Sequence, residues 1–424
     1  MLEIPHIRTH QQQVVQGLQK RGIAGAEQLI EELLEYDQQR KDTQTKLDNL
    51  KANSNAQAKK IGQLMKQGKK VEADKLKVQV GSQKSQLKTL EAELKIVTNR
   101  RDEILFKIPN IPHPSVPKGN SDADNKVESE HGKVPVLHDG AVPHWDLIKK
   151  YDIIDFELGT KVTGAGFPIY KGKGARLQRA LINYFLDQAS EAGYGEVIPP
   201  HLVNEASGFG TGQLPDKDGQ MYHAQEDGLY LIPTAEVPIT NIYRDVIVDE
   251  ASLPIKHVGY TPCFRREAGA WGAQVRGLNR LHQFDKVEIV QIQHPDKSYE
   301  TLEEMCKHVQ GLLESLELPY RVLRLCSGDL GFTSALTFDM EVYSAAQKRW
   351  LEVSSVSNFE TFQANRMKLR FKNSDNKKRL AHTLNGSALA LPRIVAALLE
   401  NNQTPDGIKV PKVLQSYTGF DIID

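Results

Sequence analysis

Apolar residues recur at intervals of three and four along residues 27–106, a stretch with almost no proline and almost no aromatic residues. This spacing is typical of long helices that pack against a partner along a heptad seam. The first predicted seam consists of Leu33, Tyr36, Arg40, Thr43, Leu47, Leu50, Ser54, Gln57, Ile61 and Leu64, and the second of Leu76, Val80, Gln83, Leu87, Leu90, Leu94, Val97, Arg101 and Ile104.

A short polar segment, Gln-Gly-Lys-Lys from Gln67 to Lys70, separates the two seams and favours a chain reversal. Because each seam needs a partner and the connection is short, we predict one antiparallel helical hairpin. At 1.5 Å per residue, helices of about 35 residues would project roughly 50 Å.

The pattern changes after this hairpin. Four prolines, Pro109, Pro112, Pro114 and Pro117, precede a polar stretch at 119–125, which predicts a linker. An amphipathic helix is then predicted from Arg176 to Ala192, and β-type runs occur at 230–232, 257–264, 284–292, 336–343 and 351–357. Since loops join several of these strands, we predict a mainly antiparallel sheet flanked by helices, in the α+β class.

Composition limits the classes of protein that fit. The chain has 424 residues with 39% hydrophobic residues, enough for two or three domains and a large core, which argues against disorder. Its three widely spaced cysteines, Cys263, Cys306 and Cys326, argue against a disulfide framework and against a paired-cysteine metal site, and they fit a reducing cytoplasm. No stretch approaches the roughly 18 consecutive apolar residues of a membrane span, so we expect a soluble protein that is not exported.

The overall charge balance hides a local excess. The chain has 54 Lys and Arg against 54 Asp and Glu, but residues 38–101 contain 16 basic and 6 acidic residues, a surplus of ten positive charges. One interpretation is the solvated face of a coiled coil. The other is a rigid basic arm that contacts a phosphate backbone, where lysines give affinity without reading bases. The hairpin alone does not choose between them.

Several common catalytic motifs are missing from the sequence. There is no G-x-x-x-x-G-K-[ST], no complete G-x-G-x-x-G, no H-E-x-x-H and no G-x-S-x-G. Scattered histidines such as His282 and His308 are more typical of structural positions than of metal ligands. An enzyme with this sequence needs another kind of chemistry.

Two segments joined by a glycine-rich loop form the first candidate site. Cys263 to Glu267 leads through a loop that contains Gly269, Gly272 and Gly277 to the segment His282 to Glu288. Two paired strands would bring Arg265, Glu267, Phe284 and Glu288 to one sheet face. A guanidinium, a carboxylate and an aromatic ring suit the phosphates and the base of a nucleotide. A surface hairpin with salt bridges is the alternative for any one of these residues.

Three further segments are unusually polar for their surroundings. Thr234 and Glu236 would point to the same side of an extended segment and hold an ammonium group, although a helix N-cap pair is the alternative. Glu352 in Glu-Val-Ser-Ser suits a hard cation such as Mg²⁺, although a lone strand glutamate is often an edge residue. The segment from Asn385 to Val395 predicts a strand, a turn of small residues and a helix that begins near Arg393, which would reach a ligand's phosphates or base.

Taken together, these segments resemble the seryl-tRNA synthetases of class II, over essentially the whole chain. Gly193 to Val203 is similar to motif 1 of the class. Phe264 to Glu267, with Arg276 to Leu278 and His282 to Phe284, is similar to motif 2, and Asn385 to Arg393 to motif 3. The Thr-Ala-Glu and Glu-Val-Ser-Ser stretches and the N-terminal hairpin narrow the resemblance to the seryl family. It implies a tRNA-binding arm at 1–108, a linker at 109–135 and a class II catalytic domain at 136–424.

The resemblance implies the substrates and the residues that hold them. The reaction it implies is the ATP-dependent attachment of serine to tRNA(Ser) through seryl-adenylate, with Mg²⁺ and without zinc. Three residues are implied as catalytic, namely Arg265, Glu267 and Arg393. The serine-binding residues implied are Thr234, Ala235, Glu236, Arg265, Glu288, Asn385 and Ser387, and the ATP-binding residues are Arg265, Arg266, Glu267, Leu281, Phe284, Glu352, Val353, Ser354, Ser355 and Arg393, with Glu352 and Ser355 also holding Mg²⁺.

The resemblance also implies the partners. It implies a homodimer through the motif 1 region, contact of the arm with tRNA(Ser), selenocysteine tRNA as a further substrate where it exists, a cytoplasmic location and no membrane. Only 31 residues follow Arg393, too few for the C-terminal anticodon-binding domain of threonyl, prolyl and histidyl relatives, which leaves tRNA recognition to the arm.

The sequence departs from the family pattern at two places, and residue roles are not transferred from the family there. Ala388 and Ala390 stand where many relatives of the class have glycine, and Gly166 stands where many family members have an arginine. No tRNA or dimer contact is therefore assigned to Gly166.

The sequence leaves two alternatives open. A synthetase-like paralogue that activates a small amino acid for a carrier protein is disfavoured by the basic arm. A noncatalytic RNA-binding protein on a decayed synthetase scaffold would be expected to lose Arg265, Glu352 or Arg393, and all three are present.

Overall fold

The structure is a computed structural model that describes residues 1–216, 219–267 and 276–424. Gly269 and Gly272 of the predicted glycine-rich loop lie outside the described residues. The α-helices are α1 (Ile4–Thr9), α2 (Gln11–Lys20), α3 (Ala26–Lys66), α4 (Lys70–Leu105), α5 (His144–Lys150), α6 (Phe156–Val162), α7 (Gly172–Glu191), α8 (Glu205–Thr211), α9 (Glu236–Asn241), α10 (Ser298–Ser315), α11 (Phe362–Met367), α12 (Leu391–Asn401) and α13 (Lys412–Thr418).

The strands alternate with these helices in the C-terminal three quarters of the chain. They are β1 (Lys126–His131), β2 (Ile154–Asp155), β3 (Ile169–Tyr170), β4 (Gly195–Glu196), β5 (Leu202–Asn204), β6 (His223–Ala224), β7 (Leu229–Leu231), β8 (Ile247–Asp249), β9 (Ile255–Phe264), β10 (Gln283–Gln293), β11 (Tyr320–Arg324), β12 (Leu336–Ser344), β13 (Arg349–Asn358), β14 (Arg370–Lys372), β15 (Lys378–Leu380), β16 (His382–Ala390), β17 (Gln403–Thr404), β18 (Gly407–Lys409) and β19 (Ile422–Ile423).

The chain divides into two compact units. The first consists of Met1–Gln19 and Ile23–Pro109, and the second of Lys20–Gly22 and Asn110–Asp424. Within the described residues, no helix is both long enough and apolar enough to cross a membrane.

Two long helices dominate the first unit and confirm the predicted hairpin. Leu33, Leu47 and Leu64 of α3 are buried, as are Val97 and Ile104 of α4, all at predicted seam positions. The turn between the helices contains Gly68 at a φ of +76°, a conformation that glycine adopts without steric cost.

Asp37 is a buried acid in this unit that the heptad pattern did not predict. It is 2% exposed, and four basic side chains surround its carboxylate. Arg8 forms an ion pair with it, and the other partners are Arg40 Nε at 3.4 Å, Lys41 Nζ at 3.2 Å and Arg101 Nη1 at 3.6 Å. Burial alone would raise the pKa of Asp37, but Lys41, Arg8 and Arg40 outweigh it, so the pKa lies below its ordinary value.

An eight-stranded sheet organises the second unit and confirms the α+β class. Its order is β1-β11-β12-β13-β16-β10-β9-β4, with antiparallel pairing throughout except for the parallel pair of β4 and β9. Helices α7, α10 and α12 pack against it in one hydrophobic cluster that includes Phe185, Val309, Ile394 and Val356.

Two local predictions differ from the structure. Lys126–His131, inside the range 109–135 predicted as a linker, forms strand β1 and pairs with β11. Alternation in this segment is obscured because most of its side chains are exposed on an edge strand. Thr234 and Glu236 do not lie on an extended segment, since a bend at Thr234 and a turn at Ala235 lead directly into α9.

Two β-bulges change the direction of side chains at the centre of the sheet. Met340 pairs with Ser354 but Glu341 pairs with Glu352, so Val353 is an extra residue in β13. Leu351, Val353 and Val356 consequently all join the hydrophobic cluster. A second register shift, between Lys286 and Glu288 of β10, affects its pairing with β16.

Candidate active site

The five central strands, β12, β13, β16, β10 and β9, carry most of the predicted site residues on adjacent positions. In β10, Val287 and Ile289 join the hydrophobic cluster. Alternation therefore turns Phe284, Lys286 and Glu288 to the opposite face of the sheet. That face is where the predicted nucleotide and amino-acid residues meet.

The Arg265 guanidinium lies over the Phe284 ring, 5.2 Å from its centroid. Phe284 pairs across the ladder with Cys263, which brings Arg265 close to the aromatic ring. The Nε group of Arg265 donates to the carbonyl of Pro233 at 3.3 Å, which fixes the side chain beside the segment that contains Thr234. The remaining guanidinium nitrogens are a fork suited to phosphate or carboxylate oxygens.

Glu267 lies beyond the end of β9 and has a positive φ of +49°. Its carboxylate forms an ion pair with Arg280. The main-chain N–H of the neighbouring Arg266 donates to the carbonyl of Gln220 at 2.8 Å. Glu267 is therefore held at the edge of the site by the segments that contain Arg280 and Gln220. The sequence did not predict either contact.

Glu288 and Ser387 form the floor of a polar pocket. They are directly opposite each other in the β10–β16 ladder, and Ser387 Oγ donates to Glu288 Oε2 at 3.4 Å. Both are almost fully buried, with 2% and 8% exposure. Asn385 lies two residues before Ser387, and a hydrogen bond from its side chain to the Glu236 carboxylate acts to lower the pKa of Glu236. The Asn385 amide therefore belongs to the same buried polar cluster as the two carboxylates.

Glu236 is the second buried carboxylate of this pocket. Thr234 Oγ1 accepts from the Glu236 main-chain N–H at 3.2 Å, and Thr234 lies one residue before Ala235, the N-cap of α9. The Glu236 side chain points elsewhere: Gln363 Nε2 donates to Oε1 at 2.6 Å, while Thr383 Oγ1 donates to Gln363 Oε1 at 2.7 Å and orients that amide. Ala235, between the two, is fully buried.

Burial raises the pKa of Glu236 from 4.5 to about 7. Repulsion from Glu288 is the second cause, while the hydrogen bond from Gln363 and the positive charge of Lys286 act in the opposite direction. A carboxylate of this kind gains by pairing with a cation. The pocket therefore suits a ligand that carries an ammonium group.

The bulge at Val353 explains how the Glu352 and Ser355 side chains come to lie on one face of the sheet. Residues three apart on a regular strand face opposite sides, but the extra residue restores both to the face away from the hydrophobic cluster. Asp339 pairs with Ser355 across the ladder, and its Oδ1 atom is buried without a hydrogen-bond partner among the described residues. Burial, and then the Glu352 carboxylate, raise the pKa of Asp339 well above its ordinary value.

These oxygens fit Mg²⁺ and not a softer metal. Carboxylate and hydroxyl groups are the ligands of a hard cation, which also takes oxygens from a substrate's phosphates and from water. The described ranges contain no group of three or more His, Cys, Asp and Glu side chains arranged to hold a metal ion. An ion at Glu352 and Ser355 would therefore depend on oxygens from a bound substrate.

Arg393 is fixed at the start of α12. Its Nη1 group donates to the main-chain carbonyl of Glu352 at 2.8 Å, and its Nε group donates to that of Asn279 at 3.0 Å. The segment Gly277–Asn279 is itself anchored, because the Leu278 N–H donates to Nε2 of the buried His144 at 2.9 Å. Since Nε2 accepts this bond, His144 donates from Nδ1 to Glu400 of the same helix α12, at 2.6 Å.

Three predicted ATP-binding residues do not direct side chains into this site. Leu281 and Val353 belong to the hydrophobic cluster, and Ser354 Oγ donates to the carbonyl of Ser387 at 2.5 Å. Only their main-chain groups are available to a ligand. At Gly166, a Cβ atom would lie 2.3 Å from the ring of His282, so a side chain does not fit there.

Sequence patterns missed Lys286, Gln363 and Asp339. Lys286 could have been found by strand alternation from Glu288, two residues later on the same face. Asp339 required the strand pairing of β12 with β13, and Gln363 lies on α11, far in sequence from Glu236, with no local signal.

Comparison with known proteins gives consistent matches in both units. Residues 1–112 match the model of the seryl-tRNA synthetase N-terminal domain, and residues 220–402 match the class II tRNA synthetase core domain of the glycyl, histidyl, prolyl, seryl and threonyl enzymes. A serine–tRNA ligase of Salinibacter ruber is 50% identical over 422 residues, covering 99% of this chain and 98% of that protein. Another, of Chlorobaculum parvum, is 45% identical over 430 residues and the full length of both chains.

Solved structures agree with these sequence matches. The seryl-tRNA synthetase of Pyrococcus horikoshii, crystallised with ATP, is 35% identical, with a TM-score of 0.92 over 100% of this chain and 99% of that chain. The prolyl-tRNA synthetase of Giardia lamblia, 14% identical with a TM-score of 0.56 over 63% of this chain and 54% of that one, is similar in fold alone.

Proposed function

We propose, from the premise that the chain belongs to the seryl-tRNA synthetase family of class II, that it attaches serine to tRNA(Ser) in two steps through seryl-adenylate. The charging of tRNA with serine follows from family membership. The reaction course and the residue roles are our proposals, supported by the arrangement of the described side chains.

In the first step, a carboxylate oxygen of serine attacks the α-phosphorus of ATP, and the bond from that phosphorus to the pyrophosphate oxygen breaks. The Arg265 guanidinium faces the α-phosphate and the serine carboxylate, where it offsets the negative charge that the two bring together. Phe284 lies under the adenine ring, Glu267 accepts from the adenine amino group, and Arg393 binds the far end of the triphosphate. The rate gain comes from positioning and charge neutralisation, without a covalent enzyme nucleophile.

Glu352 and Ser355 would hold Mg²⁺, which supplies charge neutralisation at the phosphates when bound. The Asp339 carboxyl beside Ser355 supports this assignment, because burial and the Glu352 carboxylate raise its pKa and a cation near the two acids would offset that repulsion.

In the second step, a hydroxyl of the 3′-terminal ribose of tRNA attacks the carbonyl carbon of seryl-adenylate, and AMP leaves. The serine ammonium group lies by Thr234 and Glu236, and the serine hydroxyl faces Glu288, Ser387 and Asn385. Alanine is rejected because these buried polar groups would lose a partner, a discrimination of roughly 10⁴ in comparable sites.

Partners outside the catalytic site follow from the same premise. The basic arm at 1–108 contacts the long variable arm of tRNA(Ser), and also that of selenocysteine tRNA where it exists. Ile198, in the motif 1 region, is 85% exposed in a single chain, which supports a homodimer that covers it. We propose the cytoplasm as the location, in agreement with three free cysteines.

One observation carries this proposal: the buried Glu288 carboxylate accepts from the buried Ser387 hydroxyl and lies near the buried Glu236, while the Arg265 guanidinium lies over the Phe284 ring. The test is ATP–pyrophosphate exchange without tRNA, measured with each of the twenty amino acids. Serine is expected to support the fastest exchange. No exchange with serine, or faster exchange with alanine or glycine, would contradict the assignment.

A further inference from the structure

Lys286 is a buried lysine in the pocket, and the proposed reaction course gives it no role. It lies on β10 two residues before Glu288 and is 6% exposed. It pairs with Thr261 on β9 and with Ala390 on β16, at the edge of the register shift in that ladder. Burying an ammonium group costs free energy, so its place here needs a reason.

The Lys286 ammonium lies against one oxygen of Glu288. The distance from Nζ to Oε2 is 2.6 Å, and Ser387 Oγ donates to the same Oε2 atom at 3.4 Å. Two groups on separate strands thus approach one carboxylate oxygen, and they fix the rotation of the carboxylate plane. The second oxygen, Oε1, is then left for a ligand.

The charge of Lys286 matters as much as its position. Glu236 and Glu288 are close enough for Glu288 to raise the pKa of Glu236, and Lys286 acts to lower it. When both carboxylates are ionised, Lys286 leaves a single negative charge for an amino-acid ammonium to neutralise, while Arg265 takes the carboxylate. Without Lys286, two buried negative charges would face one ligand cation.

We propose that Lys286 is a positioning residue for serine selectivity, which holds Glu288 by Oε2 so that Oε1 accepts the serine hydroxyl. The inference rests on the proposed function of the same pocket. Lys286 does not touch the reacting atoms, and it acts through Glu288. A lysine that merely stabilises the fold would affect serine and ATP alike, whereas this role concerns serine alone.

The experiment is ATP–pyrophosphate exchange with the full-length protein and its variants. Lys286→Met removes the charge at similar length, and we expect the KM for serine to rise at least about 10-fold while the KM for ATP changes by less than about 2-fold. Exchange with alanine should fall less than exchange with serine, because alanine has no hydroxyl to place. Lys286→Arg keeps the charge and should recover most of the serine affinity, and Lys378→Met, at an exposed lysine of β15, is the matched control.

A double-variant cycle keeps the test decisive if Lys286→Met alone folds poorly. Lys286→Met combined with Glu288→Gln removes both charges, so no unpaired carboxylate is left at position 288. If Lys286 acts through Glu288, the double variant should bind serine no worse than Glu288→Gln alone. Effects that multiply, or a rise in both KM values together, would overturn the inference.

The wild-type protein separates this inference from the proposed function. If the wild type fails to exchange with serine, the function is wrong. If the wild type exchanges with serine and Lys286→Met keeps the wild-type KM for serine, only the role of Lys286 is wrong.

Discussion

Each buried charged side chain in the pocket has neighbouring groups that offset its charge. Glu236 depends on Gln363 and Lys286, and Glu288 depends on Lys286 and Ser387. Glu236 and Glu288 were predictable as candidate ligand-binding residues, because carboxylates beside apolar strands are unusual. The groups that orient them were not, since Gln363 is brought to Glu236 only by the tertiary fold.

The raised pKa of Glu236 makes a prediction about stability. Between about pH 4.5 and 7 the folded state holds this proton more tightly than the unfolded state, so folding stability falls as pH rises through that window and is level above it. Glu236→Gln has no proton to lose. It should therefore gain stability relative to the wild type as pH rises from 5 to 8, by on the order of 2 kcal/mol, while its KM for serine increases.

Thermal unfolding of both proteins at pH 5, 6, 7 and 8 measures this difference. Glu226→Gln, at an exposed glutamate, is the control and should show no trend with pH. A constant difference between Glu236→Gln and wild type at every pH would show that Glu236 is ionised normally.

At the scale of elements, the regular segments were predictable and the irregular ones were not. The 3,4 spacing identified both arm helices because every predicted seam position is either buried or half-buried. Strands β9, β10, β12 and β13 were found within a few residues of their observed ends. The bulge at Val353 has no local sequence signal, and yet it alone puts Glu352 and Ser355 on one face.

Removal of most of the α3–α4 hairpin is expected to separate serine activation from tRNA charging. Asp37 and Arg101 lie at its base, with Arg101 Nη1 3.6 Å from Asp37 Oδ1, so the chain can be closed there by a short Gly-Ser turn in place of residues 38–101. We expect serine-dependent exchange to stay near the wild-type rate, because the proposed catalytic residues all belong to the second unit. Charging of tRNA(Ser) should be lost.

Aminoacylation and exchange measured on the same preparation separate the two effects. With the intact protein, the KM for tRNA should rise steeply between about 50 and 200 mM salt, because basic residues on the arm release counterions from phosphate. The KM for serine should change little. If charging survived removal of residues 38–101, the arm would not be the main RNA contact.

At the scale of the whole molecule, a net charge of zero is the sum of two unlike parts. Residues 38–101 have ten excess positive charges, and the rest of the chain has ten excess negative ones. A net charge of zero is therefore compatible with RNA binding. The basic arm is indicated only by how the charges are distributed along the chain.

The motif 1 region makes a prediction about assembly. Ile198 is 85% exposed and Leu202 43% exposed in one chain, and a homodimer through Gly193 to Val203 would bury both. Ile198→Arg should shift the protein from dimer to monomer in sedimentation velocity and reduce charging. Val78→Arg, which changes a valine of the arm that is 75% exposed, should stay dimeric. A wild-type protein that sediments as a monomer would contradict the proposed interface.

Strand β1 has a further consequence for the behaviour of the chain outside its function. The eight-stranded sheet ends on one side at β4, only two residues long, and on the other at β1, where Lys126, Glu128 and Glu130 are charged. Short or charged edges resist the addition of a foreign strand, whereas β11 behind β1 contains the apolar pair Val322 and Leu323. The segment that looks like a linker in the sequence thus covers the edge of β11. Removal of β1 is therefore expected to make the protein aggregate.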